Sequence, residues 1–276
     1  MNYQCIIGYG ILGKKIFETT SKKNKKIKIF NRTINKLHKI NSSKKFHNID
    51  DVLKNCEIIY FLVKDHHSIN HFFNVLKNKE LLNNKTFVNL STISYQNVIK
   101  LEKFVNKYNS KWIESPTLGN PEALSKKKMV FLYAGEKNQK VINFLKNMGN
   151  IKFYNKIHYP QILKIVHNNI CANIMISMAD AFLISKRNQI DRKSTLDMIL
   201  NSGFVSPLVQ NKMKKMNSGY KVSFAYQNML KDLKIFEDSK FNYTEILSNT
   251  FNIFNKYKTN TKNKDSSIII DKISKK

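Results

Sequence analysis

Gly8, Gly10 and Gly13 follow directly on the apolar run Cys5-Ile6-Ile7, and the stretch Gly8-Tyr9-Gly10-Ile11-Leu12-Gly13 leads into a segment of helical character. A second apolar run, Ile27-Lys28-Ile29-Phe30, ends in Asn31-Arg32-Thr33. Strand, glycine turn, helix and second strand, in that order, make the context in which such a spacing binds a dinucleotide. The first glycine allows a tight turn, the second lets the backbone approach a pyrophosphate, and the third lets helix and strand pack closely. The helix N-terminus then offers N–H groups and the positive end of its dipole to the phosphates. A second chemical pair lies far downstream. Lys164 and Asn168 are four residues apart in a stretch without Gly or Pro, so a helix puts them on one face. A lysine held partly out of water has a lowered pKa and can act as a general acid or base, and an amide one turn on can orient it or its substrate. The competing reading is a lysine on the wet side of the helix, and spacing alone does not separate the two.

The end of the second strand bears on which nucleotide is expected. An acid there holds a ribose 2′-hydroxyl, whereas an Arg accommodates a 2′-phosphate. Here Asn31, Arg32 and Thr33 occupy the position without an acid. A guanidinium can grip a phosphate with two parallel hydrogen bonds. The pattern favours NADP(H) over NAD(H), against the alternative that Arg32 is one more solvated cation.

These residues need a scaffold, and the chain has the pattern of one. Short β-type runs alternate with helical segments through about residue 158: strands at 57–63, 86–90, 111–114 and 129–135, helices around 49–53, 72–82, 98–108 and 141–148. The apolar run at 57–63 is of the type buried in a parallel sheet. It leads to Val63-Lys64-Asp65-His66-His67 at the carboxyl edge, where open α/β sheets bind ligands. Adjacent histidines without a third ligand at a usual spacing read as a solvated loop, and no metal is expected. From 161 to 186 apolar residues recur at helical spacing, giving one long helix of roughly 26 residues, about 39 Å. Helices are then expected at 192–201, 207–216, 226–240 and 244–256, with a disordered basic tail at 272–276. The expected fold is α/β: an N-terminal Rossmann doubly wound sheet over residues 1–159, followed by an all-α C-terminal domain, 160–276, on a long interdomain helix.

Composition sets bounds. The 276 residues suffice for about two domains. Forty-two per cent hydrophobic content is that of a globular protein, and no apolar run reads as a membrane span. The chain enters its first strand without a signal-peptide pattern. Cys5, Cys56 and Cys171 have neither disulfide-frame nor metal-ligand spacing, so a reducing, cytoplasmic setting is expected. Lys and Arg number 48 against 19 acids, a net charge of +29. Such a balance suggests a nucleic-acid partner. Yet the lysines are spread end to end among many asparagines, as in Asn83-Asn84-Lys85, without a stripe of Arg and aromatics. An AT-rich coding sequence enriches both residues, and neither a specific nucleic acid nor a membrane is expected as a partner.

Five blocks in order now point to a family. Residues 6–13 with Asn31-Arg32-Thr33 match its fingerprint, and residues 88–94 are similar to its "D-M-S-T-I-S-P". Residues 114–119 are similar to "D-A-P-V-S-G-G", residues 164–169 to "K-x-x-N-N", and residues 230–233 to "L-x-K-D-L". The end, Lys264-Asp265-Ser266-Ser267-Ile268, is similar to its "D-x-S" terminus. The sequence resembles the β-hydroxyacid dehydrogenases, which include 3-hydroxyisobutyrate dehydrogenases and glyoxylate/succinic semialdehyde reductases and have a 6-phosphogluconate dehydrogenase-like C-terminal domain. The resemblance implies an NADP-dependent oxidoreductase acting on a carbonyl or hydroxy-acid substrate. Lys164 would be the general acid or base and Asn168 its neighbour at the substrate oxygen. Tyr9, Ile11 and Leu12 between the glycines, Val63, Lys64, Thr92 and Lys231 would contact the cofactor, with Asp232 a structural partner. Ser91, Leu118, Gly119 and Asn120 would line the substrate site. A homo-oligomer is implied by resemblance alone.

Two departures matter. Where the family has Ser followed by two glycines, this chain has Leu118-Gly119-Asn120. Leu118 removes a hydroxyl donor for a substrate carboxylate and adds apolar bulk, leaving backbone N–H groups near Gly119. A larger or less acidic carbonyl substrate is therefore expected. Tyr95 replaces the usual proline after Ser94 and should alter only the loop. Two rivals remain: an imine-reductase-like enzyme, which usually lacks the lysine, and a basic nucleotide-binding protein without catalysis, against which Lys164, Asn168 and Lys231 stand.

Overall fold

The computed structural model describes residues 3–203, 210, 222–239, 241 and 245–274. It divides into two compact units, Met1–Lys164 and Ile165–Lys276. In the first, the elements run β1 (Tyr3–Ile7), α1 (Ile11–Thr20), β2 (Ile27–Phe30), α2 (Ile49–Asn55), β3 (Cys56–Phe61), α3 (His66–Asn74), β4 (Thr86–Asn89), α4 (Tyr95–Asn106) and β5 (Lys111–Glu114). Then follow β6 (Thr117–Leu118), α5 (Pro121–Ser125), β7 (Met129–Ala134), α6 (Gln139–Lys146), β8 (Gly149–Tyr154) and the start of α7 (Tyr159–Arg187).

The strands β2, β1, β3, β4 and β5 lie side by side, all parallel. Both β5 and β6 pair antiparallel with β7, and β8 is parallel to β7. The order reverses around β1 and β3, where a doubly wound sheet opens its ligand crevice. Side chains alternate between two buried faces, as the two-residue period of a strand requires. Ile59 and Phe61 of β3 enter one core with Cys5, Phe73, Phe87 and Trp112. Ile58 and Tyr60 enter the other with Ile6, Ile16, Phe131 and Phe144. Burial on both sides explains why these strands read as continuous apolar runs rather than alternating ones.

The second unit is helical: α7 from Ile165 on, then α8 (Arg192–Asn201), α9 (Tyr226–Asp238), α10 (Glu245–Lys256) and α11 (Ile268–Ser274). Its core is built from Ala172, Met175, Ala179 and Phe182 of α7, Met229 and Leu233 of α9, Phe254 of α10 and Ile269 and Ile270 of α11. Asp265 is buried and accepts from the backbone N–H groups of Ser223, Phe224 and Ser267, at 2.8, 3.3 and 3.1 Å.

Several expectations are corrected. The C-terminal stretch through Ser274 is helix rather than disordered tail, because Ile269, Ile270 and Ile273 are buried. His66 and His67 open α3 instead of lying in a loop, since Asp65 accepts from Ser68 N–H and hydroxyl and caps the helix. The expected helix at 72–82 is two elements, α3 and a 3₁₀ turn at Lys79–Leu82 capped by Asn78. The strands β6 and β8 were not anticipated. The long helix runs 29 residues and includes Pro160 in its first turn, where a missing N–H costs nothing. It is also long and apolar enough to cross a bilayer, with 56% of its most apolar window buried. The helix expected at 207–216 lies, apart from Gln210, outside the described residues.

Candidate active site

The fingerprint sits at the carboxyl end of β1, the strand beside which the order reverses. Gly8 has φ +113°, and a Cβ there would stand 2.2 Å from the carbonyl oxygen of Leu62. A Cβ on Gly13 would stand 2.3 Å from the carbonyl oxygen of Gly8, so helix and turn can touch only because position 13 has no side chain. Gly10 is different. A Cβ there would meet nothing within 4 Å, so the protein leaves room in front of it. It is also the N-cap of α1 and makes no side-chain cap bond, unlike α3, α4 and α6, which Asp65, Ser94 and Asn138 cap. An open helix N-terminus behind a glycine with clear space fits a dinucleotide pyrophosphate.

Asn31 braces this turn. Its Oδ1 accepts from Tyr9 N–H at 3.0 Å and its Nδ2 donates to the Thr33 carbonyl at 2.8 Å. Its amide thus ties the glycine loop to the end of β2. Arg32 and Thr33 are exposed, and among the described residues no acid pairs with Arg32. Ile11 is exposed, while Tyr9 and Leu12 are half-buried and pack against the second core.

The ends of β3 and β4 are joined by Ser91. Its hydroxyl accepts from Val63 N–H at 2.8 Å and donates to the Phe61 carbonyl at 3.2 Å. Ser91 is thus committed within the protein, fixing the turn after β3; Lys64 in that turn is exposed and Thr92 is half-buried. Beneath this loop lies a polar cluster without a forecast role. Glu114, at the end of β5, is wholly buried. Asn89 Nδ2 lies 2.5 and 3.1 Å from its two oxygens, and Gln161 Nε2 donates to Oε2 at 3.0 Å. Gln161 Nε2 also donates to the Ser91 carbonyl at 2.8 Å, and its Oε1 accepts from Ile93 N–H at 3.1 Å. Burial pushes the Glu114 carboxyl up to about 8, against the downward pull of Gln161, Asn89 and Trp112, with Glu102 adding to the rise. The signal that could have flagged it is an acid closing a strand as apolar as Trp112-Ile113, flanked by Ser115-Pro116.

Lys164 stands three residues after Gln161 on α7 and is only 8% exposed, which removes the reading of a lysine on the wet face. One turn on, Asn168 is 4% exposed. In the helical unit Asn168 Nδ2 donates to Asp232 Oδ2 at 2.5 Å, and Asp232 Oδ1 lies 2.8 Å from Lys231 Nζ. The residues 168, 231 and 232 are therefore one charged and hydrogen-bonded group. Leu118 is half-buried on β6, paired with Val130. Gly119 has φ +130° and faces Met129 Sδ, and the Asn120 side chain caps α5 by accepting from Ala123 N–H at 2.9 Å. A cavity of about 220 Å³ lined by Gln4, Thr20, Lys23, Lys140 and Phe144 sits at the amino edge of β1, the end opposite the fingerprint glycines.

Residues 4–160 match the model for the NAD-binding domain of 6-phosphogluconate dehydrogenase, and residues 160–271 match that for the NAD-binding domain of NADP-dependent 3-hydroxyisobutyrate dehydrogenase. The chain belongs to the β-hydroxyacid dehydrogenase family. A glyoxylate/succinic semialdehyde reductase 2, chloroplastic, of Arabidopsis thaliana is 23% identical over 240 residues, 83% of this chain; the match spans 66% of that relative's length, just under two thirds. The fold is that of a 3-hydroxyisobutyrate dehydrogenase of Mycobacterium tuberculosis solved with L-serine, with a TM-score of 0.85, 15% identity and 99% of both chains covered. A reductive aminase of Aspergillus terreus solved with NADPH and ethyl levulinate is also similar, with a TM-score of 0.67, 14% identity and 99% of both chains covered. The family's two nicotinamide-domain models thus span nearly the whole chain, and the expected Rossmann and helical halves are both present.

Proposed function

We propose that this chain is an NADP(H)-dependent reductase/dehydrogenase that interconverts a carbonyl compound and its hydroxy form, with Lys164 as general acid or base. The observation that carries the reading is the burial of Lys164 in a chain that also holds a complete glycine cradle. A bound nicotinamide supplies the hydride in reduction and accepts it in oxidation. The chain's own work is the rest. The open N-terminus of α1 at Gly10 receives the pyrophosphate, and Arg32 pairs with the 2′-phosphate. The turn at Val63 and Lys64 and the residue Thr92 border the nicotinamide end.

In the reducing direction the Lys164 ammonium gives its proton to the substrate oxygen as the carbonyl carbon gains the hydride, leaving a neutral amine and an alcohol. In the oxidising direction the neutral amine takes that proton back. A site shielded from water is what an acid–base lysine needs, and Lys164 is 8% exposed. Asn168, its amide fixed by Asp232, orients the oxygen or Lys164, and Lys231 approaches the same group. Leu118 favours a carbonyl substrate with an apolar rather than a small carboxylate-bearing end. The likeness to a reductive aminase keeps imine reduction as the second reading, and Lys164 is the feature that argues against it.

The test has two stages. Calorimetric titration with NADPH and NADH comes first, expected to give the tighter binding for NADPH. A screen of aldehydes and keto acids with NADPH follows, comparing the native chain with Lys164→Ala. Turnover of a carbonyl that falls about 10²–10⁴-fold in the variant supports the acid–base role. Turnover of imines alone, unchanged in the variant, overturns it.

A further inference from the structure

The polar cluster under the loop after β4 has a donor and acceptor inventory that does not fit one protonation state comfortably. Asn89 and Gln161 each bring an amide with two N–H donors, and these are directed at the Ser91 carbonyl and the two oxygens of Glu114. A carboxylate, which only accepts, satisfies that pattern. A carboxylic acid must place its own proton, and one amide N–H must then turn away or find another acceptor. The surroundings pull the other way. Glu114 is wholly buried, no cation pairs with it among the described residues, and the charged group acting on it is another acid, Glu102 of α4. Glu102 is itself raised by burial and drawn back by His158 and Lys103. Opposite Glu114, β7 offers only Ala134.

The amide that would have to respond is the one that matters for geometry. Gln161 uses its Nε2 on Glu114 and Ser91 and its Oε1 on Ile93 N–H, so it clamps the loop at 91–93 to the first turn of α7. Ser91 in turn fixes Val63 N–H. Lys164 follows Gln161 by three residues, nearly one turn on the same helix.

We propose that Glu114 is a positioning residue: its carboxyl orients the Gln161 and Asn89 amides, and gain or loss of its proton loosens or tightens the clamp that holds residues 63 and 91–93 against the turn of α7 carrying Lys164. Burial outweighs the pull of the amide donors, so the change falls near pH 8. Where it speaks of cofactor and lysine the proposal rests on the reading above; the clamp itself does not.

Hydrogen exchange therefore tests it without turnover. Exchange of peptides covering residues 62–64 and 91–95 is followed from pH 6.5 to 9.5 and corrected for the intrinsic base-catalysed rate, in the native chain, Glu114→Gln and Gln161→Leu. Native protection is expected to change by about tenfold across pH 7 to 9, the size of one pKa unit. Glu114→Gln, which cannot titrate, is expected to show a flat profile, and Gln161→Leu to have weakened protection at every pH. Identical pH profiles for the native chain and Glu114→Gln overturn the proposal. So does full protection in Gln161→Leu, which reads the same clamp if Glu114→Gln does not fold. NADP+ affinity over the same pH range is the second readout, with a step near pH 8 expected in the native chain and none in Glu114→Gln. Absence of dinucleotide binding at all pH values would count against the enzyme reading alone and leave the exchange result standing.

Discussion

Asn168 donates its side-chain amide to Asp232 at 2.5 Å, and this bond joins α7 to α9 inside the helical unit. Asp232 is only 2% exposed and also holds Lys231 at 2.8 Å. One buried carboxylate thus fixes two of the side chains assigned to the site. Removing it takes an acceptor from the Asn168 amide and a counter-charge from Lys231. Asp232→Ala is expected to lose about 3 kcal/mol of stability, the usual cost of breaking a largely buried pair from one side. Denaturant midpoints measure it. Asp232→Asn, which keeps an acceptor for Asn168 and loses the charge facing Lys231, should lose less.

The three fingerprint glycines should respond differently to the same change. Gly8→Ala and Gly13→Ala force a Cβ to within 2.2 and 2.3 Å of backbone oxygens, and Gly8 also has a positive φ. Both variants should be destabilised by several kcal/mol, on the order of an overpacked core. Gly10 has φ −77° and open space, so Gly10→Ala should unfold at the native denaturant concentration yet bind dinucleotide at least tenfold more weakly. Unfolding curves and calorimetry on the three variants give the contrast. Equal stability losses at all three positions would mean that position 10 is structural.

Arg32 is exposed and free of acidic partners among the described residues, so its removal should touch binding rather than folding. Arg32→Ala is expected to weaken NADPH by about tenfold or more, the size of a charge-assisted bidentate contact, and to leave NADH unchanged. Calorimetry is the proper readout, because the lone tryptophan, Trp112, is buried within β5 among Phe61 and its neighbours. Parallel losses for both nucleotides would return Arg32 to the background of solvated cations.

How far the sequence carried the fold depends on the kind of signal. The fingerprint and the long helix were legible because a glycine spacing and the absence of Gly and Pro are local. The strands β6 and β8 were not. The first is two residues long, and the second leaves Lys152 and Phe153 exposed on opposite faces, so neither carries a hydrophobic run. The start of α3 is hard to read although Asp65 and Ser68 are a capping pair, because two adjacent polar histidines carry no apolar periodicity. The burial of Lys164 could not be read from its spacing to Asn168. The cluster of Asn89, Glu114 and Gln161 escaped for a different reason. Its members are 25 and 47 residues apart and meet only once β4, β5 and α7 are folded together.

Leu118 is the proposed substrate-contact position where a single side chain should change substrate choice. It lies half-buried on β6 with its backbone fixed against Val130, so Leu118→Ser replaces apolar bulk with a hydroxyl without disturbing the pairing. The variant should improve kcat/KM for glyoxylate or succinic semialdehyde by about tenfold, the scale of one added hydrogen bond to a charged group, and reduce it for larger, uncharged carbonyls. Unchanged kinetics across the series would remove Leu118 from the substrate site.

Glu114 also makes a prediction about stability, and its sign follows from the direction of the shift. The folded carboxyl titrates near 8 and the unfolded one near 4.5, so the folded chain binds the proton more tightly. That contribution is complete below about pH 4.5, declines by up to about 1.4 kcal/mol per pH unit between 4.5 and 8, and is gone above 8. Other groups titrate over the same range, so the quantity to follow is a difference. Glu114→Gln is neutral throughout, and its stability minus that of the native chain should climb with pH across this window and level off above it. Denaturant midpoints for both chains at pH 5, 6, 7, 8 and 9 give the curve. A difference independent of pH would mean that the carboxyl titrates as it does in water, and that the amides of Asn89 and Gln161 fully offset its burial.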